Sequence, residues 1–296
     1  MTYCVSMRLD AGLVFLADSR TNAGVDHIST FRKMMVFEHP GERLLVLMSA
    51  GNLAVTQAVR QIVCERTGAD EHSLWTVRSM FEAVRIVGQA VREVQARDGK
   101  ALKEAGIEFN CSFILGGQIM GERMRLFQVY AAGNFIEATP ENPYFQIGEA
   151  KYGKPIVDRV ITPATTLDEA AKCALISMDS TLRSNISVGM PLDLLVYEAD
   201  RLAVTKFVQI DQNNQYMQMI RSTWGARLKQ VFQELPDPSW RDAGEPAGAP
   251  PLTSGVSQPV RAPLPPTLAD TRSTASTPHA SPMQLVAQGG GGNSPR

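Results

Sequence analysis

Four residues near the start of the chain could perform chemistry together: Thr2, Asp18, Lys33 and Gly51. If Met1 is removed, which the small threonine side chain permits, Thr2 carries a hydroxyl and a free amine on neighbouring carbons. A threonine hydroxyl is a weak nucleophile until a base takes its proton. An α-amine titrates near neutrality, so such a residue holds its own base. A buried lysine near the hydroxyl lowers the cost of forming the alkoxide, and a carboxylate beside that lysine keeps it charged and positioned. A backbone N–H at Gly51, where no side chain obstructs, suits a developing oxyanion. Each residue also has a plain structural reading. Thr2 can open an edge strand, Asp18 can cap a turn, Lys33 can snorkel at the surface, and Gly51 can be a loop glycine before a helix. The chemistry requires a fold that brings all four together.

The elements that must do so are legible in the apolar periodicity. Thr2 to Arg8 and Leu13 to Asp18 read as strands joined by the turn Asp10-Ala11-Gly12, with a loop of small residues over Ser19 to Gly24. Thr30 to Phe37, with Lys33 inside it, and Arg43 to Ser49 read as a second hairpin turning at His39-Pro40-Gly41-Glu42. After Ala50-Gly51 the period becomes helical, and Asn52 is a plausible cap for a helix to about Arg66. Ser73 to Ala105 reads as a long helix and a short one, broken near Asp98-Gly99. Strands follow at Phe109 to Gln118, Met124 to Ala131 and Asn134 to Ala138. A loop carrying Pro140, Pro143, Gly148, Glu149 and Gly153 comes next, then a buried helix from Leu167 to Arg183 and a loop over Ser184 to Gly189. Strands at Leu192 to Glu198 and Ala203 to Ile210 precede an amphipathic helix from Gln215 to Leu235. Runs of strands segregated from helices imply an antiparallel α+β protein with sheets packed together and helices outside.

The remaining composition narrows the partners. The 296 residues are 44% hydrophobic, enough for a sizeable core over residues 1–237. After Trp240 the chain holds 10 of its 18 prolines and no aromatic residue, so residues 238–296 read as a disordered tail with too little to bury. A PxxP-like partner motif at Pro263 to Pro266 is the alternative there. Net charge is −1 with acids and bases mixed, which gives a nucleic-acid partner no electrostatic support. No stretch is long and apolar enough to span a bilayer and no secretory signal opens the chain, so a cytoplasmic location is expected. Cys4, Cys64, Cys111 and Cys173 lie far apart in apolar patterns and read as buried free thiols; no metal site and no cofactor is suggested.

Thr2 with its hairpin, Ala17-Asp18-Ser19-Arg20, Ala23-Gly24, Arg32-Lys33-Met34 and Met48-Ser49-Ala50-Gly51 resemble the start of catalytic proteasome β subunits and of the ring protease HslV. The match is closer to Anbu, the bacterial ancestral β-subunit branch, whose signature resembles Thr2-Tyr3-Cys4-Val5, Ala17 to Asp26 and Phe31-Arg32-Lys33-Met34. The resemblance covers Thr2 to about Leu235. It implies the αββα four-layer sandwich of N-terminal nucleophile hydrolases and a threonine peptidase. Thr2 would be the nucleophile, its freed amine the base, Asp18 and Lys33 the pair that tunes it, and Gly51 the oxyanion donor. Asn22 and Gly24 would clasp an extended substrate by strand addition. Ser187 matches a supporting serine of the proteasome pattern, whereas Glu149 and Ser184 stand where that pattern has a serine and an aspartate. The implied partners are a peptide or unfolded-protein substrate and further copies of the chain in a ring or open helical oligomer. The chain holds no ATPase module, so an unfoldase would be a separate protein. With no propeptide ahead of Thr2, maturation would rest on removal of Met1. The alternatives are a non-proteolytic assembly module of the same fold and a non-peptide amidase.

Overall fold

A computed structural model describes residues 2–22, 28–66 and 72–238. By internal contacts the chain divides into Met1–Leu235 and Pro236–Arg296. The proline-rich tail, beyond residue 238, lies outside the described residues.

In chain order the elements are strands β1 (Tyr3–Leu9), β2 (Gly12–Asp18), β3 (Arg20–Asn22), β4 (Ile28–Thr30), β5 (Met34–His39) and β6 (Arg43–Gly51). Helices α1 (Leu53–Glu65) and α2 (Met80–Glu104) follow, then β7 (Cys111–Ile119), β8 (Arg125–Val129), β9 (Phe135–Glu137) and β10 (Tyr144–Gly148). The chain continues with α3 (Lys154–Val160), α4 (Leu167–Ser184), β11 (Leu192–Glu198), β12 (Lys206–Ile210) and α5 (Gln215–Glu234). One antiparallel sheet has the order β10-β1-β2-β11-β12 and the other β5-β6-β7-β8-β9; β3 and β4 form a separate two-stranded ribbon.

Period-two alternation assigns each strand's side chains to two cores. In β1 and β2, Tyr3, Val5, Met7, Val14 and Leu16 pack with Ala170, Ala174 and Met178 of α4. Their alternates Cys4, Leu13, Phe15 and Ala17 pack with Leu44, Val46 and Met48 of β6, Ile114 of β7 and Leu126 of β8. Leu45 and Leu47 of β6 face the other way, onto Val55 and Val59 of α1 and Val84, Val87 and Val91 of α2. Burying each such side chain stabilises the fold by roughly 1.5–3 kcal/mol before its entropy cost. The mixed α/β architecture with antiparallel sheets is the one read from the sequence.

Four readings change. Residues 144–148, expected in a loop, form β10 and pair with β1 in the register Tyr3 to Gly148 through Met7 to Tyr144. Part of the expected 19–24 loop is strand β3. The long helix begins at Met80, after Ser79 caps it by accepting from the Glu82 N–H at 3.1 Å, and it runs unbroken through Asp98-Gly99 to Glu104. A glycine in a helix interior costs only about 1 kcal/mol, less than the surrounding turns supply. Lys33 lies in the connection Phe31–Lys33 before β5, not within a strand. The Asn52 cap is as expected, its Oδ1 accepting from Ala54 N at 3.0 Å and Val55 N at 3.4 Å.

Candidate active site

Thr2 immediately precedes β1 and is 8% exposed. Its carbonyl accepts the Glu149 N–H at 2.7 Å. That close approach depends on Gly148, whose φ is +83°; a Cβ there would lie 1.9 Å from the Thr2 carbonyl oxygen. Any other residue would both be strained and collide with the backbone that holds Thr2. The end of β10 thus fixes where Thr2 sits.

The Asp18 carboxylate closes β2 and is 1% exposed. Its Oδ1 accepts from the Tyr3 N–H at 3.0 Å and from Lys33 Nζ at 2.6 Å, and its Oδ2 accepts from the Gly189 N–H at 3.3 Å. Burial pushes the Asp18 carboxyl above the ordinary aspartate value, while Lys33 and the two backbone donors pull the other way. Lys33 Nζ also donates to the Arg20 carbonyl at 2.7 Å. The connection carrying Lys33 is tied on both sides: the Ser49 N–H donates to the Lys33 carbonyl at 3.1 Å, and Arg60 donates to the Arg32 carbonyl at 2.6 Å while lying over the Phe31 ring. Lys33 is therefore held by backbone and side chain alike.

Thr2, Lys33 and Gly51 line one cavity of about 310 Å³. Gly51 ends β6 with φ +115°, where a Cβ would meet the Asn110 carbonyl at 2.5 Å. Asp18 stands behind Lys33 and does not line the cavity. Arg20, Phe31, Ser49, Asn52, Leu53 and Thr56 complete much of the wall. Sequence reasoning assigned none of these six a role in the site. A signal was available, because most of them flank residues it did single out. An arrangement of a hydroxyl, a fixed ammonium and a strand-end glycine around one cavity can stabilise negative charge on an oxygen that forms there.

The other expected site residues are placed differently. Ser187 is half-buried, its N–H donates to Asn185 Oδ1 at 2.9 Å, and it does not line the cavity. Its neighbour Gly189 contributes instead, through Asp18. Ser184 is exposed at the end of α4, and the Glu149 carboxylate lies 3.5 Å from Lys151 Nζ. Asn22 ends β3 opposite Ile28, and Gly24 lies outside the described residues. All four cysteines are free, and Cys64 is only half-buried, unlike the other three. Burial pushes the thiols of Cys111 and Cys173 up to about 12 and about 11, so neither supplies a thiolate at neutral pH. No described helix is long and apolar enough to cross a membrane.

Among solved structures, the chain is similar to Anbu (ancestral β-subunit) from Yersinia bercovieri, with 54% identity and a TM-score of 0.75 over 80% of this chain and 100% of that one. It is similar to Anbu from Hyphomicrobium sp. strain MC1 at 50% identity and TM-score 0.74, covering 80% and 99% of the two chains. A helical assembly of the Anbu complex from Pseudomonas aeruginosa matches at 50% identity and TM-score 0.77, covering 80% and 98%. No family model and no curated protein matches the chain.

Proposed function

The chain belongs to the Anbu family of ancestral proteasome β-subunits, and from that premise we propose that it is a threonine-type amide hydrolase acting on peptides. Once Met1 is gone, the α-amine of Thr2 takes the proton of its own hydroxyl, and Oγ1 adds to the scissile carbonyl. The carbonyl oxygen becomes an oxyanion stabilised from Gly51, with Lys33 lowering the cost of charge on Thr2 Oγ1. The protonated amine gives its proton to the departing nitrogen as the C–N bond breaks, leaving an ester on Thr2. Water, deprotonated by the same amine, then releases the acid and restores the hydroxyl. Asn22 and Gly24 clasp the substrate strand, and Ser187 supports the site through the loop that delivers Gly189 to Asp18.

The observation that carries this reading is the cavity that Thr2 shares with Lys33 and Gly51, its lysine held 2.6 Å from buried Asp18. The three hydrophobic clusters support an αββα sandwich: helices, sheet, sheet, helices. The helical assembly of the Pseudomonas aeruginosa relative supports self-assembly of this chain; a cytoplasmic location and a solvated tail over residues 238–296 complete the proposal and rest on the composition of the sequence. A peptide-library assay on Met1-free protein tests the proposal: cleavage that disappears in Thr2→Ala is expected, and equal cleavage by both proteins would sink it.

A second reading, a non-proteolytic assembly module, is favoured by one observation. None of Glu149, Ser184 and Ser187 lines the cavity, and Glu149 meets Thr2 through its backbone N–H alone, so no side chain at the supporting positions of the proteasome pattern lines the wall around Thr2. Normal self-assembly with no turnover and no effect of Thr2→Ala would favour it.

A further inference from the structure

The cavity beside Thr2 is cationic. Of its ten described lining residues two are charged, Arg20 and Lys33, and no carboxylate among the described residues lines it. The Lys33 charge is neutralised from behind by Asp18 at 2.6 Å. Arg20 has no such partner: its Nη1 donates to the Ile186 carbonyl at 3.0 Å, its Nε is buried without a hydrogen-bond partner, and no carboxylate among the described residues forms an ion pair with it. A guanidinium satisfied by one neutral carbonyl keeps unused donors and a full charge in a partly desolvated wall. A carboxylate answers that geometry better than an amide, an alkyl group or an ammonium. Ser49, Asn52 and Thr56 add polar groups of no net charge, and Phe31, Ala50 and Leu53 give apolar walls for the methylenes of an acidic side chain.

We propose that this cavity selects a substrate residue bearing a carboxylate, an acidic side chain on the acyl side of the scissile bond, and that Arg20 determines the preference. The proposal rests on Thr2 being the nucleophile, because the acyl residue is then the one whose side chain enters the cavity beside it. The Arg20 charge, which Asp18 does not offset, repels a basic side chain there, which supplies discrimination against the wrong substrate as well as attraction to the right one.

Three peptidyl vinyl sulfones that differ only in a Glu, Gln or Lys side chain next to the electrophile test this on Met1-free protein. Thr2 Oγ1 adds to the vinyl carbon, the C=C π bond opens, and the hydroxyl proton passes through the amine to the carbon beside the sulfone, so nothing leaves. The rate of adduct formation on Thr2 is read by intact mass. The Glu probe is expected to react about tenfold faster than the Gln probe, a single charge-assisted contact being of that order, with the Lys probe slowest. Arg20 packs over Gly189, where a Cβ would lie 2.7 Å from Arg20 Cδ; in Arg20→Met, which keeps a stem there, the Glu-to-Gln ratio falls toward one. Leu53→Asp places a carboxylate in the cavity at the first position of α1, where the helix dipole tolerates it, and moves the preference toward Lys. Thr2 labelled as fast by Gln as by Glu would overturn the inference and leave the nucleophile standing. No labelling of Thr2 by any probe would overturn both.

Discussion

Asp18 receives three N–H donors inside the protein, and one of them is an ammonium that it must keep charged. Asp18→Asn leaves Lys33 buried without its counter-charge, a change that costs about 3–5 kcal/mol when a buried pair loses one partner. Urea denaturation should read that loss. The same substitution, and Lys33→Met, should slow acylation of Thr2 about 100-fold or more, the scale of a positioned acid–base group. Rates within threefold of the parent would show that the pair only holds the fold. Much of this was legible from residue type. A carboxylate at a strand end, a lysine in an apolar run and a glycine after a strand are few enough to be matched to one chemistry. The position of Gly189 was not legible, because a backbone N–H has no signature in sequence and this one arrives from 171 residues away. Ser187 carries the residue type of a supporting group, and its N–H is turned to Asn185 Oδ1 within the same loop.

Element-scale packing decides two matters that periodicity leaves open. Helix α2 contains Gly88 and Gly99, and the sequence suggested a break at the second. A Cβ at Gly99 would find only Gln95 Cγ, at 3.5 Å, whereas one at Gly88 would lie 2.3 Å from the Gly133 carbonyl. Gly99→Ala is therefore expected to stabilise the protein by about 0.5–1 kcal/mol through helix propensity, and Gly88→Ala to destabilise it by about 1–3 kcal/mol through overpacking. Thermal unfolding of the two variants checks the opposite signs; a shared sign would contradict the packing. Strand β10 escaped the sequence reading because Pro140, Pro143, Gly148 and Gly153 punctuate its surroundings as a loop, while its partner β1 is about 140 residues distant.

Pairing of β8 with β9 carries a pH signature. Arg125 donates to both oxygens of Glu137, at 2.9 and 2.6 Å, and holds that carboxyl below the ordinary glutamate value. A carboxyl with a depressed folded pKa contributes stability above its unfolded pKa, about 4.3, and that contribution is lost as pH falls through the folded value. Glu137→Gln should thus cost about 1 kcal/mol at pH 6 and nothing once the pH has fallen far enough below the lowered folded pKa for the carboxyl to be protonated in the folded as well as the unfolded chain. A cost that persists undiminished in acid would assign the effect to packing.

At the scale of the whole molecule, segregation of strands from helices was readable because the period changes abruptly at Gly51 and again after Glu104. Among the described residues the three clusters draw on positions between Tyr3 and Ile220. A chain ending at Leu235 should unfold in a single transition with an unchanged midpoint, and a midpoint lowered by more than a few degrees would place structural work in residues 236–296. Self-assembly is a property of several copies and leaves no periodicity in one sequence. Sedimentation should find species heavier than the 32.3 kDa chain, and a monomer at micromolar concentration would contradict the proposed oligomer.

The central claim is that Thr2, freed at its amine, is the nucleophile. Tandem mass spectrometry of the N-terminal peptide, after the purified protein has met a peptidyl vinyl sulfone, tests this in one spectrum. The account predicts that Met1 is absent and that the adduct sits on Thr2. Met1 retained in most molecules, or an adduct found on Lys33 or Cys64 with Thr2 untouched, would contradict it.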